Sequence, residues 1–142
     1  MMFRQKCIFW LMLAGMLRAW QGSTVVYYSL SYFNVYDKDR LYSVLNASAL
    51  LVGGFISSMG AGTISDKYEA VNYRTKSYVT TFQAAIAVPL FAVAFLCHKS
   101  FALSMTFMFL EYTFSEGWSP VTLAMLVTCV DPKYKGRAIG IF

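Results

Sequence analysis

From Leu41 to Ser65 the chain runs without an Asp, Glu, Lys or Arg. At about 1.5 Å of rise per residue, a helix of that length reaches across the roughly 30 Å hydrocarbon core of a bilayer with some tilt. Core helices of soluble proteins rarely run so far without a charge. Within the run, Ala49, Gly53, Ser57 and Ala61 recur at every fourth position, and Gly54, Ser58 and Gly62 form a second row beside them. Rows of small side chains let a neighbouring helix approach closely, which is the usual basis of helix packing in lipid. A simple anchor helix has no use for such a stripe. The pattern therefore predicts packing inside a bundle of several membrane helices, with Gly53, Gly54, Ser57, Ser58 and Ala61 at the contact.

Composition agrees with that class. Of the 142 residues, 58% are hydrophobic and only 13% charged, values that belong to membrane proteins. The net charge of +5 does not point to nucleic acid, because the basic residues lie in the short gaps between apolar runs, where they set topology. Cys7, Cys97 and Cys129 lie at the ends of apolar runs without metal-ligand spacing, and the single histidine, His98, supplies no zinc constellation. They read as small packing residues. No cofactor or metal is expected.

Along the chain, Arg4 and Lys6 precede an apolar run from Ile8 to Tyr36 that holds one charge, Arg18. Arg18 interrupts the run, no small-residue cleavage site follows, and the apolar character outlasts a signal core, so the run reads as a first membrane helix. Asp37 to Arg40 form a polar turn before the Leu41 helix. Ser77 to Cys97 is a third charge-free run, with Pro89 inside it to bend it locally. His98, Lys99 and Ser100 make the next turn, and Phe101 to Val130 is a fourth run holding Glu111, Glu116 and Pro120. Asp131 to Arg137 is a charged loop ahead of a short apolar segment. The expected architecture is all-α: a polytopic membrane bundle of four helices over 8–36, 41–65, 77–97 and 101–130, plus a fifth stub over 136–142.

Alternating the loops between two sides puts Arg4, Lys6, Lys67, Arg74, Lys76, Lys133, Lys135 and Arg137 on one side and Lys38, Arg40 and Lys99 on the other, eight against three. The basic side is the cytoplasmic one, so the N-terminus and the 66–76 loop are expected there. Asn46, Ala47 and Ser48 spell a glycosylation sequon only a few residues into the second helix, so no sugar is expected.

The hairpin after the stripe, Gly62, Thr63, Ile64, Ser65, Asp66, Lys67 and then Arg74 and Lys76, resembles the loop signature of the major facilitator superfamily. There a Gly-x-x-x-Asp-Arg/Lys sequence with further basic residues links the second and third helices of each half. The family usually places a glycine and a basic pair directly after it, whereas here Tyr68 to Tyr73 intervene. In that family the aspartate meets a helix N-terminus of the other half and helps latch the transporter closed. The physical argument is parallel: a carboxylate just past a helix C-terminus faces the negative end of the macrodipole, at a cost of about 0.3 to 1 kcal/mol, and so needs a partner. The loop Asp131, Pro132, Lys133, Tyr134, Lys135, Gly136, Arg137 is similar to the link between the fourth and fifth helices of a half, with its Gly and Arg in reversed order. Glu116, Gly117, Trp118, Ser119 and Pro120, with Phe9, Trp10, Leu11 and Arg18, Gln21, Gly22 in the first run, resemble the spinster-like branch, which exports lipids. The resemblance covers nearly the whole chain, as helices seven to ten and the start of eleven. It implies a conformational latch at Gly62, Asp66, Lys67, Arg74, Lys76 and Arg137.

Three charges fall inside the apolar runs. Arg18 lies about eleven residues into the first run, near mid-bilayer by helical rise, and Glu116 lies about halfway along the fourth. Charges at that depth cost about 2.5 to 3.5 kcal/mol and face a partner or a polar cavity. The resemblance places both helices around a central cavity. Arg18, Gln21 and Glu116 are thus the expected polar site, with a pair that proton binding to Glu116 would weaken. Glu111 and Glu116 point about 140° apart on a helix, so both cannot line one narrow face. The aromatics Tyr27, Tyr28, Tyr32 and Phe33 suit interfacial anchoring better than an amphiphilic ligand.

No Ser-His-Asp or Cys-His set, HExxH or phosphate-cradling loop is present, so no enzyme is expected. The expected function is secondary transport of a small or amphiphilic solute by alternating access, with this chain as part of a C-terminal half. The expected partners are the lipid bilayer, the other transporter half or other membrane subunits, and a lipid or small-molecule substrate. A different class remains open: a truncated, transporter-derived subunit that packs structurally in a membrane complex without transport.

Overall fold

The computed structural model describes residues 6–36, 38–72, 74–97 and 100–142, and of Asp39 only the backbone. Arg4, Asp37, Tyr73, His98 and Lys99, used above for topology and turns, lie outside the described residues. Those described form α1 (Lys6–Phe33), α2 (Asp39–Glu69), α3 (Thr75–Leu96), α4 (Phe101–Ser115), α5 (Trp118–Cys129) and α6 (Lys135–Ile141), with 3-10 turns at Asn34–Tyr36 and Pro132–Tyr134. No strand occurs among the described residues. Two helices, Arg40–Glu69 and Thr75–Leu96, are long and apolar enough to cross a membrane.

The boundaries follow local chemistry. α2 continues past the expected end at Ser65 because no glycine or proline interrupts it between Gly62 and Glu69. Asp66 is therefore inside the last turn of α2 rather than just beyond it. Tyr68 then receives the Val71 and Asn72 amides at 3.1 and 2.9 Å, and the Asn72 side chain accepts from the Arg74 amide at 3.0 Å, closing a short turn into α3. α3 runs unbroken through Pro89. Ahead of the stub, which forms α6, the Asp131 side chain accepts from the Lys133 amide at 3.1 Å, and Pro132 suits the first position of the 3-10 turn.

The single helix expected over 101–130 is instead two helices, parted at Glu116 and Gly117. Pro120 has no N–H to give the Glu116 carbonyl, and its ring crowds that oxygen. The Gly117 amide is also drawn away, donating to Ser57 Oγ of α2 at 2.8 Å. α5 nevertheless continues the path of α4 along its neighbours. Ser104 Oγ donates to the Ala94 carbonyl at 2.6 Å, and further along Ser77 Oγ approaches Met125 Sδ at 3.6 Å, so α3 runs antiparallel to both halves.

Two apolar cores lie on either side of the break. At one end Phe33, Tyr42, Ala49, Ala94, Met105, Met108 and Tyr112 are buried together, with the Phe33 and Tyr42 rings stacked at 4.4 Å. Tyr32 donates to the Phe95 carbonyl at 2.8 Å and Tyr42 to Ser29 at 2.7 Å. Tyr32 and Phe33 thus join α1 to α2, α3 and α4 internally, whereas Tyr27 and Tyr28 are exposed. The anchoring expectation does not hold for Tyr32 and Phe33, because Phe33 meets a complementary ring on α2.

At the other end Ile8, Leu126, Val130 and Ala138 form the second core. There Cys7 Sγ lies 3.1 Å from Cys129 Sγ, both thiols being free. Brief oxidation with diamide is expected to join Cys7 to Cys129 and leave Cys97 as the remaining maleimide-reactive thiol. Loss of all three thiols, or of none, would contradict this packing of α1 on α5.

Candidate functional site

The centre of the bundle is the break between α4 and α5, where backbone groups released from the helix must find partners in an apolar interior. Ser57 takes the Gly117 amide. On the opposite side, Arg18 Nη2 donates to the Ser115 carbonyl at 3.2 Å while Nη1 donates to Gln21 Oε1 at 2.8 Å. A cation at the last carbonyls of α4 also meets the negative end of that helix dipole. One α1 residue and one α2 residue thus stabilise the same interruption.

Beside the break lies a cavity of about 240 Å³. It is lined by Arg18, Gln21, Gly22 and Val25 of α1, Asn46 and Leu50 of α2, Phe91 of α3, and Glu111, Tyr112, Glu116 and Trp118 around the break. The three expected polar residues, Arg18, Gln21 and Glu116, therefore share one cavity. The direct Arg18–Glu116 ion pair is not made. Arg18 spends its donors on Ser115 and Gln21, although both carboxyl groups remain within its coulombic reach.

Glu111 also lines this cavity, against the expectation that it and Glu116 face different ways. The cavity is wide enough to span several helices, and Glu116 sits at the C-cap, where the helix is already ending. Glu111 is buried to 1% exposure; Oε1 accepts from Ser115 Oγ, and Oε2 has no hydrogen-bond partner among the described residues. Asn46, part of the apparent sequon, accepts from the Tyr112 hydroxyl at 2.8 Å. The sequence pattern missed Asn46 and Tyr112; a lone amide in an otherwise apolar helix was the available signal.

The small-residue stripe faces the chain's own fourth run. Ala49, Gly53, Ser57 and Ala61 are buried, while Gly54, Ser58 and Gly62 are half-buried. A Cβ on Gly53 would stand 3.0 Å from Tyr112 Cβ and 3.1 Å from the Thr113 amide nitrogen, and one on Gly54 would stand 3.8 Å from Glu116 Cβ. The stripe lets α2 reach the backbone of the break.

The expected latch residues gather at the end of the bundle that also holds Cys7 and Cys129. Asp66 and Lys67 are exposed on the last turn of α2, with the Lys67 ammonium 5.6 Å from the Tyr68 ring centroid. Asp66 has no hydrogen-bond or ion-pair partner among the described residues. Lys76, by contrast, is buried in the first turn of α3 and paired with Glu69 at 2.7 Å, a carboxylate the motif did not single out. Arg74 precedes α3, Arg137 is exposed on α6, and Gly62 has open space where a Cβ would stand. Comparisons with protein-family models, with curated proteins and with solved structures find no match.

Proposed function

We propose that this chain is a multi-pass membrane protein, part of the C-terminal half of a major facilitator-type secondary transporter. It moves a small or amphiphilic solute through the cavity beside the break. The observation that carries the reading is a cavity whose mostly apolar wall holds the polar side chains Arg18, Gln21, Glu111 and Glu116, set among helices that expose large apolar side chains. In the most apolar windows of Arg40–Glu69 and Thr75–Leu96 only 22% and 17% is buried, a low share that supports membrane spans over the core helices of a soluble protein. Trp20, Leu51, Phe55 and Leu96 are among the large side chains exposed, a surface suited to lipid.

Support for four passes comes from α4 and α5 following one path along α2 and α3, so that together they reach a bilayer's thickness. Support for the orientation comes from charge: among the described residues Lys6, Lys67, Arg74, Lys76, Lys133, Lys135 and Arg137 share one end, which is cytoplasmic in this reading. Discontinuous helices at mid-membrane sites are a recurrent feature of transporters, since released backbone and inward polar groups can there contact solute.

The testing experiment extends the transcript in both directions and assays the encoded protein in proteoliposomes. A six-helix half upstream, two further helices downstream and solute flux support transport. An open reading frame limited to this stretch, with no flux, would replace that reading with a packing subunit of a membrane complex. In the flux-competent protein, Glu116→Gln keeps the side-chain shape and removes its titration, so the pH profile of uptake should change. Superimposable profiles would remove Glu116 from the coupling role.

A further inference from the structure

We infer that the cavity beside the helix break is a site for a small organic cation, a primary alkylammonium, with Glu111 as its anchor. The inference rests on reading this cavity as the solute site and supplies its substrate class. Glu111 lines the cavity, and its buried Oε2 has no hydrogen-bond partner among the described residues; an unpartnered buried acceptor is costly until a donor reaches it. The resident cation does not serve: Arg18 is turned to Ser115 and Gln21. Asn46 Oδ1 already accepts from Tyr112. Two carboxyl groups share the cavity wall with one guanidinium, so the donor that the wall lacks is a cationic one.

The rest of the lining favours an organic ion over a metal ion. Among the described residues no group of three or more His, Cys, Asp or Glu is placed to hold a metal, and hard cations require six or more oxygen ligands. Phe91, Tyr112 and Trp118 instead bring aromatic rings to the wall, and Val25 and Leu50 bring aliphatic side chains. An ammonium gains from aromatic faces as well as from a carboxylate. A volume of about 240 Å³ suits a head and a few methylenes.

The test uses the purified chain in detergent, titrated calorimetrically with n-butylammonium, butyrate and butan-1-ol. n-Butylammonium is expected to bind at least tenfold more tightly than either comparison compound, and Glu111→Gln to weaken it at least tenfold, while Glu69→Gln leaves it unchanged. Should Glu111→Gln fail to fold, thermal unfolding of the unaltered chain decides: n-butylammonium must raise the midpoint and equimolar butyrate must not. Equal binding of butyrate or butan-1-ol, or full binding by folded Glu111→Gln, overturns the inference. Ammonium binding without flux in liposomes would leave this site standing and remove transport. Flux of a neutral or anionic solute without ammonium binding would do the reverse.

Discussion

Gly117→Ala is expected to destabilise the bundle by about 1 to 3 kcal/mol, the range for forcing extra atoms into a packed interior. A methyl at this position would collide with the Ser57 carbonyl oxygen and stand 2.7 Å from Gln83 Nε2 and 2.8 Å from Ala61 Cβ. The Gln83 side chain can turn aside, but the other two neighbours are backbone and a rigid methyl on α2. Relief requires α2 to move away, which lengthens the bond from the Gly117 amide to Ser57 and exposes the break. Gly60→Ala is the matched control. Nothing lies within 4 Å of a Cβ there, and alanine exceeds glycine in helix propensity by about 1 kcal/mol. Thermal unfolding in detergent should therefore lower the midpoint for Gly117→Ala and hold or raise it for Gly60→Ala. Equal midpoints for the two variants would refute this account of the α2 contact.

Arg18→Leu is expected to cost about 1.5 to 3 kcal/mol, the worth of hydrogen bonds made by a charged group. It leaves the Ser115 carbonyl without its donor and takes a guanidinium from a cavity lined by Glu111 and Glu116. Arg18→Lys should recover only part of the loss, since one ammonium cannot reproduce the planar fork that reaches Gln21 and Ser115 together. Gln21→Leu removes one acceptor and should cost less than either. Denaturant unfolding of the four proteins orders them. If Gln21→Leu proved as damaging as Arg18→Leu, the Ser115 contact would not be the dominant one.

The architecture was legible where one pattern dominates a long stretch. The charge-free run and its small-residue stripe located α2 and the face it packs, because both depend on side-chain size and helical period alone. The break at Gly117 was less legible, although Pro120 was visible. Pro89 shows why: α3 passes through it unbroken, so a proline alone does not stop a helix. What differs at the break is Ser57, sixty residues distant in sequence, which captures the Gly117 amide. The same limit applies to the site. Arg18, Gln21 and Glu116 were recognisable as polar residues in apolar runs, but their partners were not. Arg18 reaches a backbone carbonyl, which every residue possesses and no motif can mark. Glu111 was set aside by helical angle, a criterion that fails when the cavity is lined from five helices and Glu116 lies at the helix end.

The meeting of Ser57, Ala61 and Gly117 also bears on how such a sequence can diverge. Position 117 has room for a hydrogen only, and positions 57 and 61 tolerate little growth while α2 stays close. These three sites cannot drift separately. A lineage that acquires a side chain at 117 must shrink its neighbours or shift α2, and one that loses the Ser57 hydroxyl must find another acceptor for the amide. Substitutions at these positions should consequently appear in correlated sets among descendants of the same ancestor, while Gly60, Gly136 and Gly140, which face open space, change freely.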